Sequence, residues 1–271
     1  MKHPKILASA LMLAAGLAST PSYATTYILS SAPRGSRASE TADYAPLARY
    51  LSQVTGQKIV YQYPQNWLTY AHNMQQNRYD ILFDGPHFVS WRIQHLNAVP
   101  LVKLPQPHIW LVLRKAGDHT LTSISSLAGH TVCAPAPPNF GALVLESMFP
   151  NPLEQPFIVQ TKGWKAGYDG VLAGQCEATI VPDTNYKRFD PDGSHERILF
   201  QHAPYPNQAI TASARIPVAM RQQMRAALLS SQGETVLAAL RKRYAKDKEF
   251  VPAHRAEYAG IDQILKGVWG F

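Results

Sequence analysis

The sequence has no His-Glu-x-x-His helix, no Gly-x-Ser-x-Gly elbow and no Walker phosphate loop, so the signatures of zinc proteases, serine hydrolases and P-loop nucleotidases are missing. Its ten histidines are not grouped at metal-ligand spacing, and neither a metal nor an organic cofactor is expected. Asp84 and His87 stand near each other on one turn, and Asp183 ends another strand. As isolated loop residues they make no catalytic set, and the chain does not read as an enzyme. Past the N-terminal segment no uninterrupted apolar stretch approaches about 20 residues, the length that spans a bilayer. Sustained heptads, low-complexity runs and solenoid repeats are also absent, and the 46% hydrophobic content is that of an ordinary globular protein.

Charge is scarce and uneven, with Lys and Arg outnumbering Asp and Glu 26 to 18. Such an excess attracts anions over a distance. The basic residues are scattered apart from Arg241-Lys242-Arg243 with Lys246 and Lys248, which read as a solvated helix face; nucleic acid is not an expected partner. Cysteine is scarcer still. Cys133 and Cys176 are the only two, so a structural bridge between them is the economical arrangement in an exported protein. Two buried free thiols and a reactive dithiol are the other arrangements that a pair allows.

Export is read from the N-terminus. Met1 to Lys5 is basic, Ile6 to about Leu17 is apolar, and Ser22-Tyr23-Ala24 is a small-x-small cleavage site, so residues 1–24 form a signal peptide cut after Ala24. What remains is large enough for two small lobes and is expected to be soluble.

Along that remainder, short apolar runs alternate with helical periodicity. Thr26 to Leu29 reads as a strand and Ser30 to Glu40 as a loop. Asp43 to Val54 reads as a helix capped by Thr41 or Asp43 and stopped at Gly56. Strands follow at Lys58–Tyr63, Tyr79–Phe83 and Ile109–Arg114, with helices at Asn66–Gln76 and from His87 to Gln94. A polar stretch, Lys115–His119, reads as a crossing into a second alternating set. That set has strands at Thr131–Ala134, Pro156–Gln160 and Ala178–Pro182, and helices at Ser123–Leu127, Asn139–Met148 and Trp164–Leu172. A return crossing falls near Ala203–Ala209, and helices at Pro217–Leu229 and Gly233–Tyr244 pack back on the first unit. Alternation at this spacing predicts an α/β fold with mainly parallel sheets flanked by helices. The expected division is 25–113 for the first part of one lobe, 114–204 for the second lobe and 205–271 for the return.

Candidate binding residues fall at strand and loop ends. Gly85-Pro86-His87 lies where a buried strand feeds a helix: glycine lets a ligand approach the backbone, Pro86 needs no amide partner, and the next free N–H groups face outward. Asn139-Phe140-Gly141 occupies the equivalent place in the second unit, with Asn139 as the helix cap. Aromatic and histidine residues near the expected mouth include Tyr63, Trp67, His87, His108, Trp110, Trp164, Tyr168 and Tyr186, with His108 next to the first crossing.

Several segments in order resemble the periplasmic phosphate/phosphonate-binding family, solute receptors of ABC importers. They are Tyr44–Leu51 followed by Thr55-Gly56-Gln57-Lys58, then Tyr79–Pro86, Ser126–Val132 and Gly170–Ala178, so the resemblance spans about Tyr27 to Tyr244. It implies a bilobal periplasmic-binding-protein fold of type II, with two hinge crossings and lobes that close on a small solute, a phosphonate-like oxyanion. Ser30, Ser31 and the His87 turn would serve from one lobe, His108 beside the hinge, and Asn139, Trp164 and Tyr186 from the other. Where the family often has Ser-Thr-Ser at its second site, this sequence has Pro137-Pro138-Asn139 and so lacks three hydroxyl donors. The implied partner of a monomeric receptor is an ABC permease, or alternatively a membrane sensor to which the solute is presented, and the implied location is the periplasm.

Overall fold

The computed structural model describes residues 25–268 together with Gly270 and Phe271, so the expected signal peptide and cleavage site lie outside the described residues. At the start, β1 (Thr26–Ser31) runs parallel to β2 (Lys58–Tyr61), Thr26 opposite Lys58. The crossover between them is α1 (Arg37–Thr55), longer than its apolar pattern predicts. Ser36 caps it by accepting from the Ser39 amide, which starts the helix ahead of Thr41 and Asp43, and Gly56 closes it at φ 67°. Next come α2 (Trp67–Gln75), capped by Asn66, the wholly buried β3 (Ile81–Asp84) and α3 (Pro86–Leu96).

The chain then folds back as β4 (Val99–Lys103) and leaves this lobe. The following strand, β5 (Trp110–Lys115), pairs antiparallel with two strands of the second sheet, β8 (Ala178–Pro182) and β9 (Glu196–Gln201). The crossing therefore falls at 104–109, ahead of β5, and not at Lys115–His119. An apolar run such as Ile109–Arg114 reports a buried strand, but which sheet receives it depends on long-range pairing. β6 (Thr131–Ala134) is parallel to both β7 (Phe157–Gln160) and β8. Helices α4 (Phe140–Ser147), α5 (Trp164–Leu172) and α6 (Asp183–Phe189) connect and flank these strands.

Return to the first lobe runs beside the outgoing segment. His108 and Tyr205 exchange backbone hydrogen bonds at 2.9 and 3.0 Å, and the Leu104 amide donates to Gln208 O at 3.0 Å, so the two crossings form one paired hinge. β10 (Ala209–Ala212) then inserts antiparallel between β3 and β4. Helices α7 (Val218–Leu228), α8 (Ser231–Val236) and α9 (Ala238–Tyr244) follow, and β11 (Val251–Pro252) adds an edge.

The sheet orders are β11-β4-β10-β3-β1-β2 and β7-β6-β8-β5-β9. Both are mixed, a correction to the mainly parallel expectation. Strands joined by helical crossovers are parallel, whereas β5 and β10, which enter their sheets straight from the hinge, run antiparallel to both neighbours.

Met220, Met224, Leu228, Leu237 and Leu240 pack with Leu47 and Leu51 in the first core. Trp110, Val112, Val132, Val144 and Ile180 form the second. The Cys133–Cys176 disulfide is formed, with Cα atoms 5.6 Å apart and 43 positions between partners. On loop length alone it stabilises by about 4 kcal/mol. A C-terminal turn, Ile261–Leu265, ties the lobes together. Ser90 Oγ on α3 donates to Asp262 Oδ1 at 3.0 Å and accepts from the Asp262 amide at 2.9 Å, while Ile264 packs against the cores of both lobes.

Candidate ligand-binding site

In the first lobe, β3 ends at Asp84 and α3 starts two residues later at Pro86, with Gly85 between them as its cap. Pro86 at the first position has no N–H to leave unmet, and the amides of His87 and Phe88 belong to the turn that has no intrahelical acceptor. Gly85 is required sterically, because a Cβ there would lie 2.9 Å from His87 Cε1. Beside this turn the Arg34 guanidinium rests 5.9 Å from the ring centres of both Phe83 and Tyr244.

The second lobe offers α4 in the same manner. Asn139 Oδ1 accepts from the Gly141 amide at 3.0 Å, leaving the Phe140 and Ala142 amides at the free helix end. A side chain at Gly141 would meet Trp110 at 2.5 Å and Trp164 at 2.8 Å, so glycine here allows the two indoles to pack edge to face, 5.0 Å between centroids.

The lobes touch across the gap. His87 Nε2 lies 3.2 Å from the Pro138 carbonyl, which can only accept, and the His87 ring stacks on Phe140. Between them is a cavity of about 180 Å³. The expected residues Gly85, His87, His108, Asn139, Phe140 and Trp164 line it together. Trp67 and Trp110, also expected near the mouth, line it as well. Arg34, Gln106, Gln208 and Tyr244 line it too, and the sequence reading did not place these at the site.

Several polar atoms of the lining residues are buried without partners. Arg34 Nη1, Trp110 Nε1, Tyr244 Oη, Gln106 Oε1, Gln208 Oε1 and Nδ1 of both His87 and His108 are all buried, with no hydrogen-bond partner among the described residues. Native proteins rarely leave such atoms unmet, so a cluster of them around one cavity calls for something that binds them. Burial, reinforced by the Arg34 charge, pushes His87 down to about 3 even though its Pro138 contact opposes the shift. His108 is pushed down to about 4, again chiefly by burial, against the pull of Asp183. Both rings are neutral at ordinary pH; the Arg34 charge acts on both and the Asp183 charge on His108. Asp84 lies behind Gly85, accepts from Tyr70, and is raised by burial.

A larger groove of about 890 Å³ runs between α2, α4 and the C-terminal turn, but none of the orphaned atoms lines it. Chemistry therefore concentrates in the smaller cavity. Asp190, Asp192 and His195 bring potential ligand atoms within 4.8 Å of one another. The Asp190 carboxylate is already occupied there by the amides of Ser194, His195 and Glu196, so the group reads as a capped turn.

Four expected residues have their side chains committed elsewhere and do not line the cavity. Ser30 donates to Gln62 O at 2.7 Å, and Ser31 donates to Glu40 at 3.2 Å, because β1 continues through both and buries them. Tyr63 donates to Gly35 O and Tyr186 to Glu196 O. Pro86 and Gly141 shape the two helix starts without lining the cavity themselves.

Two mixed sheets joined by a paired hinge and closing on a polar cavity define a bilobal α/β receptor of the type II periplasmic-binding class. Residues 29–258 match the family described as "ABC transporter, phosphonate, periplasmic substrate-binding protein", and the chain belongs to that family. It is thereby a solute-binding receptor for an ABC importer. No curated protein sequence matches it. Among solved structures, XAC2383 from Xanthomonas citri bound to chloride is similar at TM-score 0.71 and 14% identity, over 89% of this chain and 97% of that one. A second structure of XAC2383, bound to ATP, also has TM-score 0.71, with 13% identity over 90% and 99%. PhnD1 from Prochlorococcus marinus in complex with methylphosphonate has TM-score 0.67 and 12% identity, over 91% and 99%. Among the described residues no helix is long and apolar enough to cross a membrane.

Proposed function

We propose that this receptor captures a small phosphonate-type oxyanion in the cavity between Gly85-Pro86-His87 and Asn139-Phe140. The observation that carries the reading is the half-buried Arg34, whose Nη1 has no partner and which lines a cavity together with the orphaned donors Trp110 Nε1 and Tyr244 Oη. Unpaired buried cationic donors are costly unless an anion meets them. Two helix starts add free amides and a favourable dipole. The ligands named for the three similar structures above are anions: methylphosphonate for PhnD1, chloride and ATP for XAC2383. A cavity of about 180 Å³ suits the smaller of these.

The geometry supports binding by hinge closure. The His87–Pro138 and His87–Phe140 contacts join opposite lobes, so a guest that bridges the lobes shifts the population toward this arrangement. A monomeric periplasmic chain would hand the solute to its ABC permease without altering it chemically; no catalytic group is invoked. Native mass spectrometry of the exported protein, followed by calorimetry with phosphate, phosphite, methylphosphonate and methanesulfonate, tests the proposal. Saturable binding of a phosphorus oxyanion is expected. A retained ligand that is uncharged or cationic, with no oxyanion bound, overturns it.

A further inference from the structure

The cavity is two-sided in its hydrogen bonding. Arg34 Nη1 and Trp110 Nε1 are donors without acceptors. His87 is the reverse. Its Nε2 faces the Pro138 carbonyl at 3.2 Å, so the ring proton sits on Nε2 and Nδ1 keeps a bare lone pair. That Nδ1 is buried, and no donor among the described residues reaches it. Turning the ring into a double donor is opposed by burial and by Arg34. A fully ionised anion has only acceptors to offer, so it would meet Arg34 and leave Nδ1 facing another lone pair. A singly protonated oxyanion meets both.

We infer that the ligand binds with a proton of its own, as a monoprotonated phosphonate or phosphite whose O–H is directed to His87 Nδ1 and whose bare oxygens are directed to Arg34. This rests on the small-oxyanion reading above and adds the protonation state that the site selects. The charged and titratable groups around His87 are Arg34 from the loop after β1, Asp84 at the end of β3 and His108 from the hinge. Asp183, Arg243 and Tyr244 complete the cavity wall.

The test is calorimetry on the full chain with methylphosphonate and methanesulfonate, between about pH 7.5 and about pH 9, where both histidines are neutral whether the cleft is open or closed. Methanesulfonate has the same shape and charge as the monoprotonated phosphonate but no proton to donate, and is expected to bind at least about tenfold more weakly. Methylphosphonate affinity is expected to fall by about tenfold per pH unit once its second proton is lost. His87→Phe, which keeps a ring against Phe140, should flatten that profile and erase the preference. Equal affinity for the two ligands with a flat profile overturns the inference while leaving the oxyanion reading intact. Failure of both ligands to bind removes the oxyanion reading itself, and this inference with it.

Discussion

His87 of the first lobe and Phe140 of the second lie face to face across the cleft, centroids 4.7 Å apart and ring planes 2° from parallel. The contact exists only when the lobes are together, so it belongs to the closed form and not to either lobe alone. Phe140→Leu removes the ring while keeping apolar volume. It should cost the closed form about 1 kcal/mol, seen as roughly fivefold weaker ligand binding and a larger radius of gyration in small-angle scattering. Unchanged affinity and size would show that the stack does not contribute to closure.

Arg34 supplies the charged donor of the cavity. Arg34→Gln should weaken oxyanion binding by about ten- to a hundredfold, the value of a buried charged hydrogen bond, while the melting temperature of the unliganded chain changes little. Titration calorimetry beside thermal scanning separates the two effects, and full retention of affinity would exclude Arg34 as an anchor.

Acid should open the cleft. His87 and His108 are held down to about 3 and about 4 in the closed form, whereas an exposed histidine takes its proton near pH 6.5. Open or unfolded chains therefore bind more protons as pH falls through that window, and stability of the closed form is lost between about pH 6.5 and about pH 4. Thermal scans across that range should show the fall, and a His87→Phe/His108→Phe double variant should show less of it. An identical slope in the variant would locate the acid sensitivity elsewhere.

Glu196 carries a pH dependence of opposite sense. It is fully buried, neither carboxylate oxygen has a partner, and burial reinforced by nearby Asp190 raises it to about 9. Because the folded carboxyl holds its proton while the unfolded one loses it near pH 4.3, stability drains away as pH rises from there toward 9. Glu196→Gln keeps the shape without the proton. It should raise stability by up to about 3 kcal/mol at pH 7, measured by urea denaturation, and no gain at neutral or alkaline pH would mean the carboxyl is better satisfied than its contacts indicate.

Much of the site was legible where it is written in consecutive residues. Gly85-Pro86-His87 and Asn139-Phe140-Gly141 read as helix starts because capping is a contact within two or three positions, and both starts face one cavity. Ser30 and Ser31 misled for a related reason. Polar letters after an apolar run suggest a loop, yet β1 continues through them, and their hydroxyls are taken up by Gln62 and Glu40. Arg34 gave only the weak signal of a lone cation between Pro33 and Gly35, and nothing near Tyr244 announces that its hydroxyl ends beside it.

Local patterns in the chain alone determined the alternating α/β elements and the two helix starts that bracket the cavity, while the count of two cysteines left a bridge as one of three arrangements and the structure forms it. Periodicity, caps and composition act over a few residues or constrain the whole chain at once. Only the tertiary structure decided that β5 joins the second sheet, that both sheets are mixed, and that Arg34, Gln106, Gln208 and Tyr244 meet at one cavity. Those outcomes depend on which distant strands pair and on how a double hinge folds one lobe over the other, and no short stretch of sequence contains both partners of such a contact.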